Sequence, residues 1–182
     1  MRLPVHSLET APAESRPIMD GIAADLGLIP NLAATAATSP ALLAGFDGLR
    51  RAVATTKLDP VLREVTGLAV GVAVDNHYGV AFHSTMLASL GVDETDIGAM
   101  RAGHAPSDGT AAAVHRLARE LALGRGRVPD ATVAAAAEAG LDAEAVLEIV
   151  LESTFAALVG TIDNLADHVD LDDFLTPRAW TA

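Results

Sequence analysis

The residues best suited to chemistry in this chain are a carboxylate, Glu64, and an imidazole, His83. Between them lie an apolar run, 68–74, and the polar pair Asp75-Asn76, of the kind that ends one helix and begins the next. A carboxylate on one helix and a histidine on the following one can exchange protons near neutral pH, because imidazole changes charge in that range. The sequence therefore predicts a proton-transfer frame, with Glu64 and His83 as its catalytic pair.

Four residues near the start of the predicted helix that carries His83 could bind a substrate beside this pair. Asn76, Gly79 and His83 fall at i, i+3 and i+7, on one helical face. Gly79 would leave a gap that could admit a small ligand. Asn76 could donate a hydrogen bond to a carbonyl or enolate oxygen, or it could simply cap the helix. Tyr78 and His77 could line the mouth of the same site; packing for the tyrosine and surface exposure for the histidine are the alternatives.

The same side chains could instead hold a metal ion, with Glu64, His77 and His83 as ligands. No His-x-x-x-His pair supports that use. Three other histidines lie in separate segments without ligand spacing: His104, His115 and His168. We therefore expect no metal and no cofactor.

The stretch from Glu64 to His83 resembles the core motif of the alkylhydroperoxidase D-like and carboxymuconolactone decarboxylase family. In the redox branch of that family the motif is Glu, eleven residues, Cys-x-x-Cys, three residues, His. Glu64 and His83 match its outer positions, whereas Asn76 and Gly79 stand where the two cysteines would be. The chain has no cysteine, so the resemblance implies the fold and the Glu–His frame but excludes a disulfide-based peroxidase.

The resemblance extends beyond the core motif to the peroxidase-related subgroup of the family. Segments that carry it are Leu3-Pro4-Val5, Pro30-Asn31, Ser39-Pro40-Ala41-Leu42-Leu43 and Arg101-Ala102-Gly103. Near its C-terminus that subgroup often has an Asn-Tyr-x-Asn-His-x-Ala-Asp segment. Here Ala166-Asp167 fits this pattern, but Asp163-Asn164 replaces the Asn-His pair.

Two functions are compatible with this combination of retained and lost residues. The first is a cysteine-independent enzyme that transfers protons on a small carbonyl, lactone or acid, with His83 as acid and base and Glu64 as its partner. The second is a non-catalytic descendant, an oligomeric small-molecule binding protein or scaffold. A peroxidase with another nucleophile is the weakest reading, since none of the four methionines lies in the motif.

Composition predicts an all-α fold of about eight helices. Hydrophobic residues make up 51 % of the chain and aromatic residues only 3 %, so the core must consist mainly of Ala, Leu and Val, which let helices pack closely. The length of 182 residues predicts a single domain, 1–182, with an N-terminal arm, 1–14, and a C-terminal tail, 170–182. Start and stop signals place helices at about 16–26, 31–37, 39–55, 59–74, 76–90, 93–103, 111–123, 129–139 and 142–166.

Net charge and hydropathy limit the kinds of partner and the compartment that we expect for this protein. A net charge of −12 disfavours nucleic acid and anionic membranes. The first residues carry no apolar leader and the longest apolar run, 68–74, is too short to span a bilayer, so we expect a cytoplasmic protein. Members of the family assemble as dimers, trimers or hexamers, and the mean hydropathy of +0.34 is consistent with further helical surface buried between subunits, so we expect a homo-oligomer.

Overall fold

The computed structural model describes residues 2–181, and over that range the chain forms nine α-helices and one short 3-10 helix, with no β-strand. This confirms the all-α class. The α-helices are α1 (Arg16–Leu26), α2 (Asn31–Ala36), α3 (Pro40–Val53), α4 (Pro60–Ala73), α5 (His77–Ser89), α6 (Glu94–Arg101), α7 (Gly109–Leu123), α8 (Asp130–Glu138) and α9 (Ala143–Leu165). The 3-10 helix spans Thr176–Arg178.

The helices that carry the predicted frame begin at side-chain caps. Asp59, Asn76 and Asp142 precede α4, α5 and α9, and a side-chain oxygen of each accepts a backbone N–H from the first turn at 2.8 Å. Pro60 follows the first of these caps, at a position where its missing N–H costs nothing. These local contacts fix the residue at which each of the three helices starts.

Helix α4 lies at the centre of the bundle and packs against α5, α6, α7 and α9. Every residue from Glu64 to Gly71 is buried, including two glycines, Gly67 and Gly71. A Cβ at Gly71 would lie 3.3 Å from a methyl group of Val80, so the glycine lets α5 come close. The carboxylate of α4 and the imidazole of α5 are thereby brought within reach of each other.

The core divides into two clusters, one around α1–α3 and the other around α4, α6 and α7. Helices α5 and α9 contribute to both: Tyr78 and Val159 belong to the first cluster, and Val80 and Ala156 to the second. The two helices therefore span the junction between the clusters.

Both terminal segments pack on the bundle, although they are largely non-helical. Leu175 is fully buried, and the Arg101 guanidinium donates to the carbonyls of Arg178 and Ala179, at 2.9 Å each. In the N-terminal arm, Ala11 is buried and its carbonyl accepts from Arg16. The outer bounds of the predicted domain, residues 1 and 182, lie outside the described residues.

Helix α9 is long and apolar enough to cross a membrane by length and composition alone, and it is the one such helix among residues 2–181. It packs against α2, α3, α4, α5 and α7. Its Glu152 and Asp163 side chains are buried against those neighbours. A core helix passes the same composition test, and these contacts identify α9 as a central helix of the bundle.

Candidate functional site

The structure brings Glu64 and His83 into direct contact. Nδ1 of His83 lies 2.8 Å from Oε2 of Glu64, and both side chains are buried. The other ring nitrogen, Nε2, has no hydrogen-bond partner among residues 2–181, and the residue keeps 9 % of its surface exposed. The carboxylate thus fixes the orientation of the ring and leaves Nε2 available for a ligand.

Gly67 provides the surface on which the imidazole rests. It lies one turn after Glu64 on α4, and a Cβ built at this position would stand 2.1 Å, 2.2 Å and 2.5 Å from Cε1, Nε2 and Nδ1 of His83. Real Cβ atoms do not approach other atoms so closely, so only glycine is compatible with this ring position. One helix therefore supplies both the carboxylate and the bare backbone that the histidine needs.

The pair is held in its charged form. Burial disfavours the imidazolium, but the hydrogen bond and charge of Glu64 outweigh burial and raise the pKa of His83. Burial likewise acts to raise the pKa of Glu64, but the bond and charge of His83, with a smaller contribution from Arg63, lower it overall. Nε of Arg63 lies 3.4 Å from Oε1 of the same carboxylate. Both shifts favour a carboxylate bonded to an imidazolium.

A cavity of about 150 Å³ opens beside His83 at the junction of the two core clusters. A cavity of that size can hold one six-membered ring. Its wall is apolar and rich in aromatic rings: Leu32, Phe46, Tyr78, Phe82, Phe155, Val159 and Phe174. Most of the few aromatic residues of the chain therefore gather around one space.

Two polar groups of the wall are already satisfied. Arg50 lines the cavity, but its Nη2 lies 2.6 Å from Asp25 and 2.7 Å from Asp47. The Tyr78 hydroxyl donates to Asp172, and burial, followed by that bond, raises its pKa further above its usual value, so it stays a neutral phenol. Among the wall residues that the structure describes, His83 is left as the group that can exchange a proton with a ligand.

Asn76 occupies the space that the sequence suggested would be open at Gly79. Its Oδ1 accepts the Gly79 N–H, and a Cβ at Gly79 would lie 2.2 Å from its Nδ2. The expected gap is filled by the capping amide, because a short side chain at the cap folds back over the first turn. Gly79 lines the cavity, whereas the residues described as lining it do not include Asn76.

His77 also lies apart from the residues that line the cavity. Its ring stacks on His168, with centroids 3.7 Å apart and an interplanar angle of 6°, and the edge of Trp180 packs against it at 5.4 Å. Of the six residues singled out in the sequence, the structure gathers Glu64, His83, Tyr78 and Gly79 around the cavity and its histidine.

The substituted Asp163-Asn164 pair ties α9 to the loop between α4 and α5. Asp163 accepts the backbone N–H groups of Tyr78 and Val169, and Nδ2 of Asn164 donates to the carbonyl of Val74 at 2.7 Å. These contacts fix the start of α5 and thereby the position of His83 along that helix relative to α4.

Sequence reasoning missed one residue of this region, Glu152 on α9. It is 3 % exposed, and its Oε2 has no hydrogen-bond partner among residues 2–181. Burial raises its pKa to about 7, modulated by the charges of His83, Glu64 and Arg63. One signal in the sequence could have identified it. Glu152 follows Ile149 by three residues and precedes Ala156 by four, which places a carboxyl on the apolar face of the longest predicted helix.

Sequence similarity to known proteins covers the region that contains the Glu64–His83 pair. Residues 40–119 match the model of the Carboxymuconolactone decarboxylase family. No curated protein matches the sequence.

Several solved structures share the fold. An uncharacterized peroxidase-related protein of Ralstonia eutropha JMP134, with an alkylhydroperoxidase AhpD core, is 21 % identical with a TM-score of 0.81, over 96 % of this chain and 94 % of that one. An uncharacterized peroxidase-related protein of Silicibacter sp. TM1040 is 15 % identical with a TM-score of 0.75, over 95 % of this chain and 91 % of that one. A variant of the debrominase Bmp8, in complex with 2,3,4-tribromopyrrole, is 16 % identical with a TM-score of 0.77, over 97 % and 94 % of the two chains.

The contact between Gly67 and His83 predicts the effect of one added methyl group. Gly67→Ala should displace the imidazole and break its bond to Glu64, lowering the free energy of unfolding by about 1–3 kcal/mol despite the better helix propensity of alanine. Chemical denaturation measures the loss, and the NMR titration of His83 should move toward that of an unpaired histidine. Gly48→Ala is the control, since a Cβ there meets nothing within 4 Å on α3, and it should stabilise by up to about 1 kcal/mol. Equal effects of the two substitutions would contradict this account.

The contact between Asn76 and Gly79 predicts that the effect of Gly79→Ala on the free energy of unfolding changes sign when Asn76 is also replaced. Gly79→Ala should destabilise the protein, because the new methyl group meets the Asn76 amide. In an Asn76→Ala background, which itself loses a cap worth about 1 kcal/mol, the same change should stabilise, since the obstruction is gone and alanine favours the helix. Denaturation of the four proteins gives the coupling free energy. Additive effects would show that the amide does not fill this space.

Proposed function

We propose that the chain, whose residues 40–119 match the model of the Carboxymuconolactone decarboxylase family, is a cysteine-independent enzyme that transfers protons on a small, neutral, largely apolar carbonyl compound or lactone. The observation that carries this proposal is the buried Glu64–His83 pair beside an apolar cavity. The absence of cysteine removes thiol chemistry and leaves acid–base chemistry as the capacity of the frame.

His83 is proposed as the group that gives and takes the proton. As an imidazolium it can donate from Nε2 to a carbonyl oxygen, and as a neutral base it can accept a proton from the carbon beside that carbonyl. Glu64 accepts a hydrogen bond from Nδ1–H throughout, so the neutral ring carries its proton on Nδ1 and leaves Nε2 unprotonated. The same carboxylate stabilises the positive charge that forms on the ring.

The wall of the cavity supports a neutral substrate over a free acid. A carboxylate would need an unpaired cation, but the guanidinium of Arg50 is engaged by Asp25 and Asp47, and the imidazolium of His83 is engaged by Glu64. The aromatic side chains and the volume suit a single ring. The complex of the similar debrominase with tribromopyrrole supports small rings as the first probes.

Ligand binding without turnover is the alternative function. The Asn76 amide that fills the space at Gly79 favours it, because the place where the redox branch carries its reactive groups is packed shut. The apolar cavity beside it would then serve for binding alone.

Exchange of α-hydrogens for deuterium tests the two functions directly. We expect cyclopentanone, cyclohexanone or a five- or six-membered lactone, incubated with the protein in D₂O, to lose α-protons in NMR spectra faster than in buffer. His83→Ala should lower the rate about 100-fold or more, the usual contribution of a positioned acid–base group. Glu64→Gln should also lower it, because the ring loses its orienting carboxylate. His104→Ala, which changes an exposed histidine, is the control and should leave the rate unchanged.

Binding of these compounds, seen as shifts of cavity resonances, without exchange would favour the alternative function. Exchange that survives His83→Ala would contradict the role of the histidine. If no probe binds and no probe exchanges its α-protons, a function at this cavity is contradicted.

We also propose that the protein is a homo-oligomer that buries the outer face of α9. Leu147 is 67 % exposed, Val150 follows it one turn later, and Leu123 of α7 is 53 % exposed. Light scattering should give a multiple of the 18.6 kDa chain mass, and Leu147→Glu with Val150→Glu should lower it by placing charges in the interface. Leu90→Glu, which charges an exposed apolar residue outside α9, is the control. A monomer at all accessible concentrations would contradict the proposal.

A further inference from the structure

We propose that Glu152 is a positioning residue of the site: a third buried acid group, on α9, that governs the charge of the Glu64–His83 pair and so sets the pH range in which His83 can act as a base. Its catalytic consequence rests on the proposed function. The electrostatic coupling itself concerns three side chains and holds whether or not a substrate is turned over.

The first support is the place of Glu152 in the fold. It is 3 % exposed on the face of α9 that also carries Ala156, one turn later, and Ala156 lines the cavity beside His83. Helix α9 packs against both α4 and α5, the helices that carry Glu64 and His83. The Glu152 carboxyl is therefore buried on a face of α9 that meets the frame, close enough for its charge to act on His83.

The second support is the lack of any local partner. Oε2 of Glu152 is fully enclosed and has no hydrogen-bond partner within residues 2–181. A carboxyl with no partner costs stability in the interior, and a well-packed apolar residue of similar size would avoid that cost. A purely structural role therefore does not explain this residue, whereas a role through charge does.

The groups that face Glu152 define the coupling. From α4, Glu64 opposes its ionisation and Arg63 favours it, and from α5 the imidazolium of His83 favours it. Helices α2, α3 and α7 also pack on α9, and none of their charged groups that the structure describes acts on the pKa of Glu152. The coupling is mutual, because the charge of Glu152 in turn raises the pKa of His83.

Two charge states follow from this geometry. With Glu152 protonated, the carboxylate of Glu64 balances the imidazolium alone. When Glu152 releases its proton to solvent, a second negative charge stabilises the imidazolium, and His83 then holds its own proton to higher pH. Burial, the largest cause of the raised pKa of Glu152, places this event near neutrality.

NMR titration of the His83 ring from about pH 5 to about pH 9 tests the coupling in the full chain. We expect the wild-type resonance to move in two steps, as Glu152 and then the ring lose protons. Glu152→Gln keeps the shape but removes the second negative charge. It should leave a single step with a midpoint lower by about one pH unit, the size of the effect of a nearby charge. Glu144→Gln is the matched control, because it removes an exposed carboxylate of the same helix, and it should titrate like the wild type.

An unchanged His83 titration in Glu152→Gln would overturn the proposal. Should that variant fail to fold, carbon NMR of carboxyl-labelled glutamate in the wild-type protein reports directly on the group. One glutamate resonance should titrate near neutrality, in the same pH range as the first step of the His83 ring. Glutamates that all titrate in their ordinary range would overturn the proposal.

The outcome is separable from that of the proposed function. If a ketone or lactone is turned over, the midpoint of its pH–rate profile should fall in Glu152→Gln by the same amount as the ring titration. A shifted titration without any exchange would reject the enzyme and retain the coupling. Exchange with an unshifted titration would reject the coupling and retain the enzyme.

Discussion

The rest of the structure depends on one buried ion pair, between Glu64 and His83. Neither charge is stable alone in an apolar interior, so each requires the other at hydrogen-bond distance. That requirement fixes how closely α4 and α5 approach, and it explains the bare backbone at Gly67, under the ring, and at Gly71, against Val80. Small residues are therefore a geometric necessity at this point of the bundle.

The replacement of both cysteine positions changes the chemistry and preserves the local architecture. Asn76 still begins α5, and its amide takes the space that a side chain at Gly79 would fill. On the other side, Gly160 of α9 makes room for Asn76 and Val74, since a Cβ there would meet Val74 at 2.8 Å. The loop between α4 and α5 is thus sealed by packing, and what remains accessible is the histidine beside its cavity.

Local signals made most of the fold and the Glu64–His83 contact predictable from sequence. Asp59-Pro60 and Asp142 determine helix starts through contacts within one turn, and the spacing of Glu64 and His83 identified the frame. The role of Glu152 depends on which face of α9 meets α4 and α5, a long-range arrangement that no local pattern encodes. The filled space at Gly79 was missed for a related reason, because a helical wheel places side chains on a face but does not say where an amide folds back.

The two buried acids of α9, Asp163 and Glu152, differ in their hydrogen-bond partners. Asp163 accepts N–H groups of Tyr78, at 3.3 Å, and of Val169, at 2.8 Å, and it lies 3.2 Å from Nδ1 of His168. Its oxygens are satisfied by donors that build the loop before α5, which is a structural task. Glu152 is buried on the same helix and its Oε2 has no such donor, so burial raises its pKa and the charges of the frame modulate it. The contrast separates an acid that builds the architecture from one that we propose acts on the charge of His83.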